Sequence, residues 1–373
     1  MIEEPTNMKA VILASTLLTA AQVIAAPLSS CDNDTAQSTD AWDYIVVGSG
    51  AGGIPVAAQL AASGKRTLLL ERGPPSSGRW TSEKYGVLAD PNWKPSWLQG
   101  TNLTFYDVPA LYTEIFSSSN FSSNIYCQDV QGATAGCVLG GGTAINAGLW
   151  WVPAKIDWDY VFPANSGWSS SDMQNATDSV FGRIHGTPVP STNGELYLQQ
   201  GAHVIEGALE QASWTREISN ETPDQKTQKR VYTNTTFMYE NGERGGPMAT
   251  YLVEAVQRPN FEIWTNTMVE RVERDGGRAT GVVVKSAGAG GHDGVIPISS
   301  EGGVVLSAGA FGSPKILFRS GIGPQDQLNM VKSAEGESMI DESQWINLPV
   351  GYNLADNINV SLQIPTSTST SSS

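Results

Sequence analysis

The sequence predicts an α/β fold organised around a parallel sheet, and two observations predict it. First, Asp43-Tyr44-Ile45-Val46-Val47 is a short apolar, β-branched run, the composition of a strand buried on both faces. Second, that run leads straight into Gly48-Ser49-Gly50-Ala51-Gly52-Gly53, then the small apolar stretch Ile54–Ala62, then Thr67-Leu68-Leu69-Leu70 ending at Glu71. Strand, G-x-G-x-x-G, helix, strand and acid in that order make a Rossmann-like unit that binds a dinucleotide.

Each part has a physical task. Gly48 permits the tight turn out of the first strand, Gly50 lets backbone approach a pyrophosphate, and Gly53 lets the helix pack closely on the strand. Free N–H groups and the positive dipole end at the helix N-terminus face the phosphates. Pro55 is tolerated because it falls in the first turn, where its missing N–H has no helical partner. Glu71 stands where a carboxylate accepts hydrogen bonds from ribose hydroxyls. The motif by itself does not separate NAD from FAD.

Composition bounds the rest. The 373 residues suffice for two domains or one large one. With 40% hydrophobic and 8% aromatic residues, the chain is not disordered. Lys+Arg 22 against Asp+Glu 37 gives a net charge of −15, which repels nucleic acid and anionic lipid. No nucleic-acid partner is therefore expected.

The segment 1–26 reads as a secretory signal peptide. Ala10–Ala26 is apolar or small, and Val23-Ile24-Ala25 or Ile24-Ala25-Ala26 can precede a cleavage point. Glu3 and Glu4 sit where a positive region belongs, so Met8, followed by Lys9, is taken as the start. Ser15, Thr16, Thr19 and Gln22 make this run too polar for a membrane span, and no membrane partner is expected. Secretion also fits the N-x-S/T sequons at Asn33, Asn102, Asn120, Asn175, Asn220, Asn234 and Asn359. Cys127 and Cys137 can close a short loop in an oxidising compartment and leave Cys31 free, or all three remain thiols. No cysteine pair has metal-ligand spacing near a histidine, so no metal is expected. Residues 27–41 read as a linker and 365–373 as a low-complexity Thr/Ser tail.

A second glycine-rich run, Gly136-Cys137-Val138-Leu139-Gly140-Gly141-Gly142-Thr143-Ala144-Ile145-Asn146, is bounded by apolar residues. A third stretch runs Gly309-Ala310-Phe311-Gly312-Ser313-Pro314, on to Gly323, and a fourth is Asn347-Leu348-Pro349-Val350-Gly351-Tyr352-Asn353-Leu354-Ala355-Asp356. On these residues the chain resembles the glucose–methanol–choline (GMC) family of FAD-dependent oxidoreductases, over about Trp42 to Asn359. The stretch Asn241–Leu252 and the Tyr126-Cys127 and Gly136-Cys137 pairs resemble in particular the flavin domain of cellobiose dehydrogenases. The resemblance implies FAD as cofactor and favours a Cys127–Cys137 disulfide. It implies that Gly48, Gly50 and Gly53 cradle the pyrophosphate and Glu71 the adenosine ribose. It places Gly141, Gly142, Thr143 and Asn146 along the pyrophosphate and flavin side, Val269 backbone against adenine, and Ala308 at the cofactor border. It further implies hydride transfer to flavin from the CH–OH group of a sugar or another alcohol, with an external electron acceptor.

Domain expectations follow. Residues 42–151 and 241–364 form two parts of the FAD-binding domain, with a partial α+β substrate-side domain at 152–240. In the second part, Ile263–Val272 and Thr280–Lys285 read as strands around Asp275-Gly276-Gly277, with further strands at Val295–Ile298 and Gly303–Ser307. Leu196–Gln211 reads as a helix, and Trp150, Trp151, Trp158 and Trp168 are candidates to stack on sugar rings or simply to pack. Alcohol oxidation needs a base, in this family a C-terminal histidine. His185, His203 and His292 stand outside any such motif, and Asn357 stands where the family usually has His. No catalytic residue is assigned; the catalytic histidine segment is expected to be missing, the chain truncated, and its own activity absent or very low.

Overall fold

The computed structural model describes residues 41–109, 111–112, 114, 125–130, 135–197, 199–224 and 230–356, all within the unit Ser38–Ser373. The expected signal segment, nearly all of the linker, Cys31, Asn357 and the tail lie outside the described residues.

The chain opens with β1 (Trp42–Val47), α1 (Gly53–Ala62) and β2 (Thr67–Leu70). Along β1, Ile45, Val46 and Val47 are buried, and all of β2 is buried. Residues of one strand alternate between faces, so Val46 and Leu69 enter one core cluster while Ile45, Val47, Leu68 and Leu70 enter another. On α1, Ile54, Ala57, Ala58 and Ala61 recur at helical spacing and form its buried stripe. Gly64, at φ +86°, takes the left-handed conformation that ends this helix.

The middle of the chain carries α2 (Gly142–Ile145), α3 (Lys155–Asp159), α4 (Ser170–Arg183) and α5 (Gln200–Gln211). Ser169 caps α4 in a reciprocal box with Asp172. Two small sheets follow: β3 (Thr215–Ile218) beside β4 (Val231–Asn234), and β5 (Tyr239–Glu240) beside β6 (Glu243–Arg244). Then come α6 (Tyr251–Ala255), β7 (Phe261–Trp264), β8 (Thr267–Asp275), β9 (Arg278–Ser286), β10 (Gly294–Leu306), α7 (Gly309–Arg319) and α8 (Gln325–Glu335).

One six-stranded sheet, ordered β7-β2-β1-β10-β9-β8, organises these elements. β1 pairs in parallel with β2 and β10, and β2 pairs in parallel with β7. The start of β10 instead pairs antiparallel with β9.

Two strand expectations change. The run Ile263–Val272 is broken at Thr265-Asn266, because β7 bonds to β2 while β8 bonds to β9. Asn266 turns the chain at φ +51° and its side chain donates to the Ala289 carbonyl at 2.9 Å. Conversely, Val295–Ile298 and Gly303–Ser307 join within a single strand, because β9 holds one end of β10 and β1 holds the other. The helix expected over Leu196–Gln211 begins only at Gln200.

The region 152–240 packs more lightly: neither α4 nor α5 buries a residue fully. Of its sequons, Asn220 is committed to structure, accepting from Val152 N–H at 3.0 Å and donating to the Trp150 carbonyl at 3.1 Å. Asn102 and Asn175 are exposed.

Leu69 is fully buried between β1 and β7. Leu69→Ala is expected to lower unfolding free energy by about 2–5 kcal/mol, read from the urea midpoint at unchanged slope.

Candidate functional site

A cavity of about 560 Å³ opens at the carboxyl ends of β1, β2 and β10. This is where open α/β sheets bind ligands.

The floor is glycine backbone. At φ +99°, Gly48 turns the chain away from β1, and a Cβ there would stand 2.3 Å from the Ser307 carbonyl oxygen. A Cβ on Gly53 would stand 1.8 Å from the Gly48 carbonyl oxygen. The second glycine loop arrives from the other side, with Gly141 at φ +52° and a would-be Cβ 3.0 Å from Gly50 Cα.

Ser49 ties these loops together. Its hydroxyl donates to Glu71 Oε2 at 2.5 Å and accepts from Gly140 N–H at 3.2 Å. Its own N–H donates to the same Oε2 at 3.1 Å, and Gly73 N–H donates to Glu71 Oε1 at 2.8 Å. Burial pushes the Glu71 carboxyl above its usual range, against the opposing pull of the Ser49 and Gly73 hydrogen bonds.

The walls come from Thr267–Val269 on β8, from Ser307 to Lys315 leading into α7, and from segments around Cys127 and Cys137. Cys127 and Cys137 form the disulfide that the resemblance favoured. Asp129 bonds Arg72 and Lys315, each at 3.0 Å. Partial burial raises the Asp129 carboxyl, but Lys315 and Arg72 outweigh it and hold the group below the usual carboxylate range.

Of the residues singled out from sequence, Gly48, Gly50, Glu71, Gly141, Gly142, Val269 and Ala308 line this one cavity. Gly53, Thr143 and Asn146 do not line it. Thr143 Oγ1 donates to the Gly140 carbonyl at 2.7 Å. Asn146 Oδ1 accepts from Gly148 N–H at 3.0 Å and from Arg244 Nη1 at 3.1 Å.

Sequence reasoning missed Ser49, Ser307, Asp129 and Arg244. The buried Arg244 donates to the carbonyls of Tyr106, Thr143 and Asn146, so it braces the second glycine loop from behind. Only the Asn241–Leu252 resemblance hinted at it.

The three histidines are absent from the cavity lining. His185 is exposed 4.0 Å from Glu240, His203 is exposed on α5, and His292 stacks on Trp264 with centroids 4.0 Å apart. Trp150 packs on Phe181 at 4.7 Å, Trp158 on Phe162 at 5.9 Å and Trp168 on the same Phe162 at 5.7 Å, while Trp151 and part of Trp168 are exposed. Among the described residues no cluster could hold a metal, and no helix is long and apolar enough to cross a membrane.

Residues 43–359 match the family model described as GMC oxidoreductase. The chain belongs to the GMC oxidoreductase family. It is 27% identical over 336 residues to an oxygen-dependent choline dehydrogenase of Pseudomonas putida, covering 86% of this chain and 54% of that protein. In fold this GMC chain is similar to an FAD-dependent oxidoreductase from Chaetomium thermophilum, with TM-score 0.55, 20% identity, and coverage of 78% and 49%. It is likewise similar to pyridoxine 4-oxidase from Mesorbium loti, with TM-score 0.54, 19% identity, and coverage of 77% and 53%. The chain spans about half the length of the curated relatives it matches. The fold is the FAD-binding fold of GMC oxidoreductases, and FAD is its cofactor. The site fits that group: side-chain-free backbone meets at the glycine loops, and Glu71 lines the cavity they frame.

Gly53→Ala is expected to weaken FAD binding more than tenfold and to lower the melting temperature, since backbone must shift to admit the methyl. Flavin fluorescence titration and thermal melts check both. A raised folded pKa contributes stability at low pH that is lost as pH climbs through that pKa. Wild type should therefore lose stability relative to Glu71→Gln as pH rises above the usual carboxylate range, seen in urea midpoints measured across a pH series.

Proposed function

We propose that this chain is the FAD-binding part of a secreted oxidoreductase acting on the CH–OH group of a sugar or another small alcohol. The observation that carries the reading is the convergence of two glycine loops and Glu71 on one cavity at the strand ends. Bound FAD supplies the redox chemistry, taking up the hydride of the donor.

The chain's own residues bind and orient. Gly48 and Gly50, with the N-terminus of α1, hold the pyrophosphate, and Gly53 sets the helix close enough to do so. Glu71 accepts from the ribose hydroxyls, and the Val269 backbone meets adenine. Gly141 and Gly142 extend the binding surface toward the flavin, on a loop shaped by Thr143 and Asn146. Ala308 borders the cofactor where β10 gives way to α7.

The base that takes the hydroxyl proton lies outside the described residues in this reading, and electrons leave to an external acceptor. A sugar such as cellobiose is favoured by the resemblance of Asn241–Leu252 to the flavin domain of cellobiose dehydrogenases, and the exposed Trp151 is a candidate to stack on its ring. The signal-like segment, the sequons and the Cys127–Cys137 disulfide support secretion and glycosylation.

A split enzyme, completed by a second chain, is favoured by one observation. Ile156, Tyr160, Val161, Val204 and Ile205 are exposed around helices that bury no residue.

The purified chain is expected to carry FAD, seen in its flavin absorbance, and to oxidise cellobiose, aryl or aliphatic alcohols with a dye acceptor slowly or not at all. Loss of all flavin on purification in excess FAD would overturn the reading. Robust turnover without added protein would overturn the placement of the base.

A further inference from the structure

One wall of the FAD cavity is tethered across its rim by charge. Segments 125–130 and 135–137 are held together by backbone: Cys127 N–H donates to the Ala135 carbonyl at 2.9 Å, and Cys137 N–H to the Ile125 carbonyl at 2.7 Å. The Cys127–Cys137 disulfide joins the same two segments. Asp129 reaches out from this base. Its Oδ1 accepts from Arg72 Nη1 at 3.0 Å, its Oδ2 from Lys315 Nζ at 3.0 Å, and its carbonyl from Lys315 Nζ at 2.6 Å. Arg72 directly follows Glu71 at the end of β2, and Lys315 stands on α7. A single aspartate thus links three separately built parts of the cavity, and all three residues line it.

We infer that Asp129, Arg72 and Lys315 form an ionic clasp that retains the adenosine end of FAD, held in register by the Cys127–Cys137 disulfide. The inference rests on the FAD reading above, in which Glu71 and Val269 mark the adenosine end. Arg72 is the next residue to Glu71, so the clasp crosses that end and not the flavin end. Escape on this side requires both ion pairs to part together. The Arg72 and Lys315 side chains are each 36% exposed and Asp129 is 41% exposed, so the pairs add little to fold stability. Their effect falls on the rate at which a bound ligand leaves. The disulfide keeps Asp129 within reach of both cations.

The test loads the full chain with FAD and follows release by the rise of flavin fluorescence after dilution. Asp129→Asn and Lys315→Gln are each expected to speed release about fivefold to tenfold while leaving the melting temperature of the FAD-free protein unchanged within error. Raising salt from about 0.05 M to about 0.5 M should speed release from wild type and have much less effect on Asp129→Asn. Cys127→Ser with Cys137→Ser should also speed release. Unchanged release in both charge variants, with FAD bound normally, would overturn the clasp alone. Failure of wild type to bind FAD would overturn both the clasp and the reading beneath it.

Discussion

A Cβ on Gly53 would stand 1.8 Å from the Gly48 carbonyl oxygen, and one on Gly48 would stand 2.3 Å from that of Ser307. Those distances are shorter than any side chain tolerates, and they bring β1, α1 and β10 together. The closeness of α1 to β1 aims the helix N-terminus into the cavity. The closeness of β1 to the end of β10 brings Ala308 and α7 to the same rim. Glycine at these positions is a requirement of packing before it is a feature of binding.

Around that contact the polar groups form a chain of dependence. Ser49 anchors Glu71 and the second glycine loop at once, so the acid and both loops share one buried hydroxyl. Arg244 supports the second loop through carbonyl acceptors and one amide oxygen. Buried donors and acceptors that are satisfied in this way hold a loop in one geometry, because leaving any of them unmet costs more than a hydrogen bond returns. Asp129 plays a looser part at the rim, where solvent weakens each ion pair.

The first strand, helix and second strand were legible because their signals are local. β-branched runs, helical spacing on α1 and the glycine spacing all lie within thirty consecutive residues. Glu71 was legible by its place after β2, and seven of the ten residues singled out line one cavity. The path of residues 263–307 was only partly legible. Whether Thr265-Asn266 continues a strand depends on which neighbours β7 and β8 find: β8 pairs with the adjoining β9, but β7 pairs with β2, far away in sequence.

By itself the sequence placed the dinucleotide-type glycine motif and the acid after β2, and its further motifs carried the resemblance to the family to which the chain belongs. Local spacing suffices for the motif and the acid, since each depends on a turn, a strand end or a helix start. Only the tertiary structure decided that Ser49 is the shared anchor, that Arg244 braces a loop almost one hundred residues before it, and that Asp129 reaches Lys315 across 186 residues. Such contacts join segments that the sheet brings together, and no property of either segment alone selects its partner.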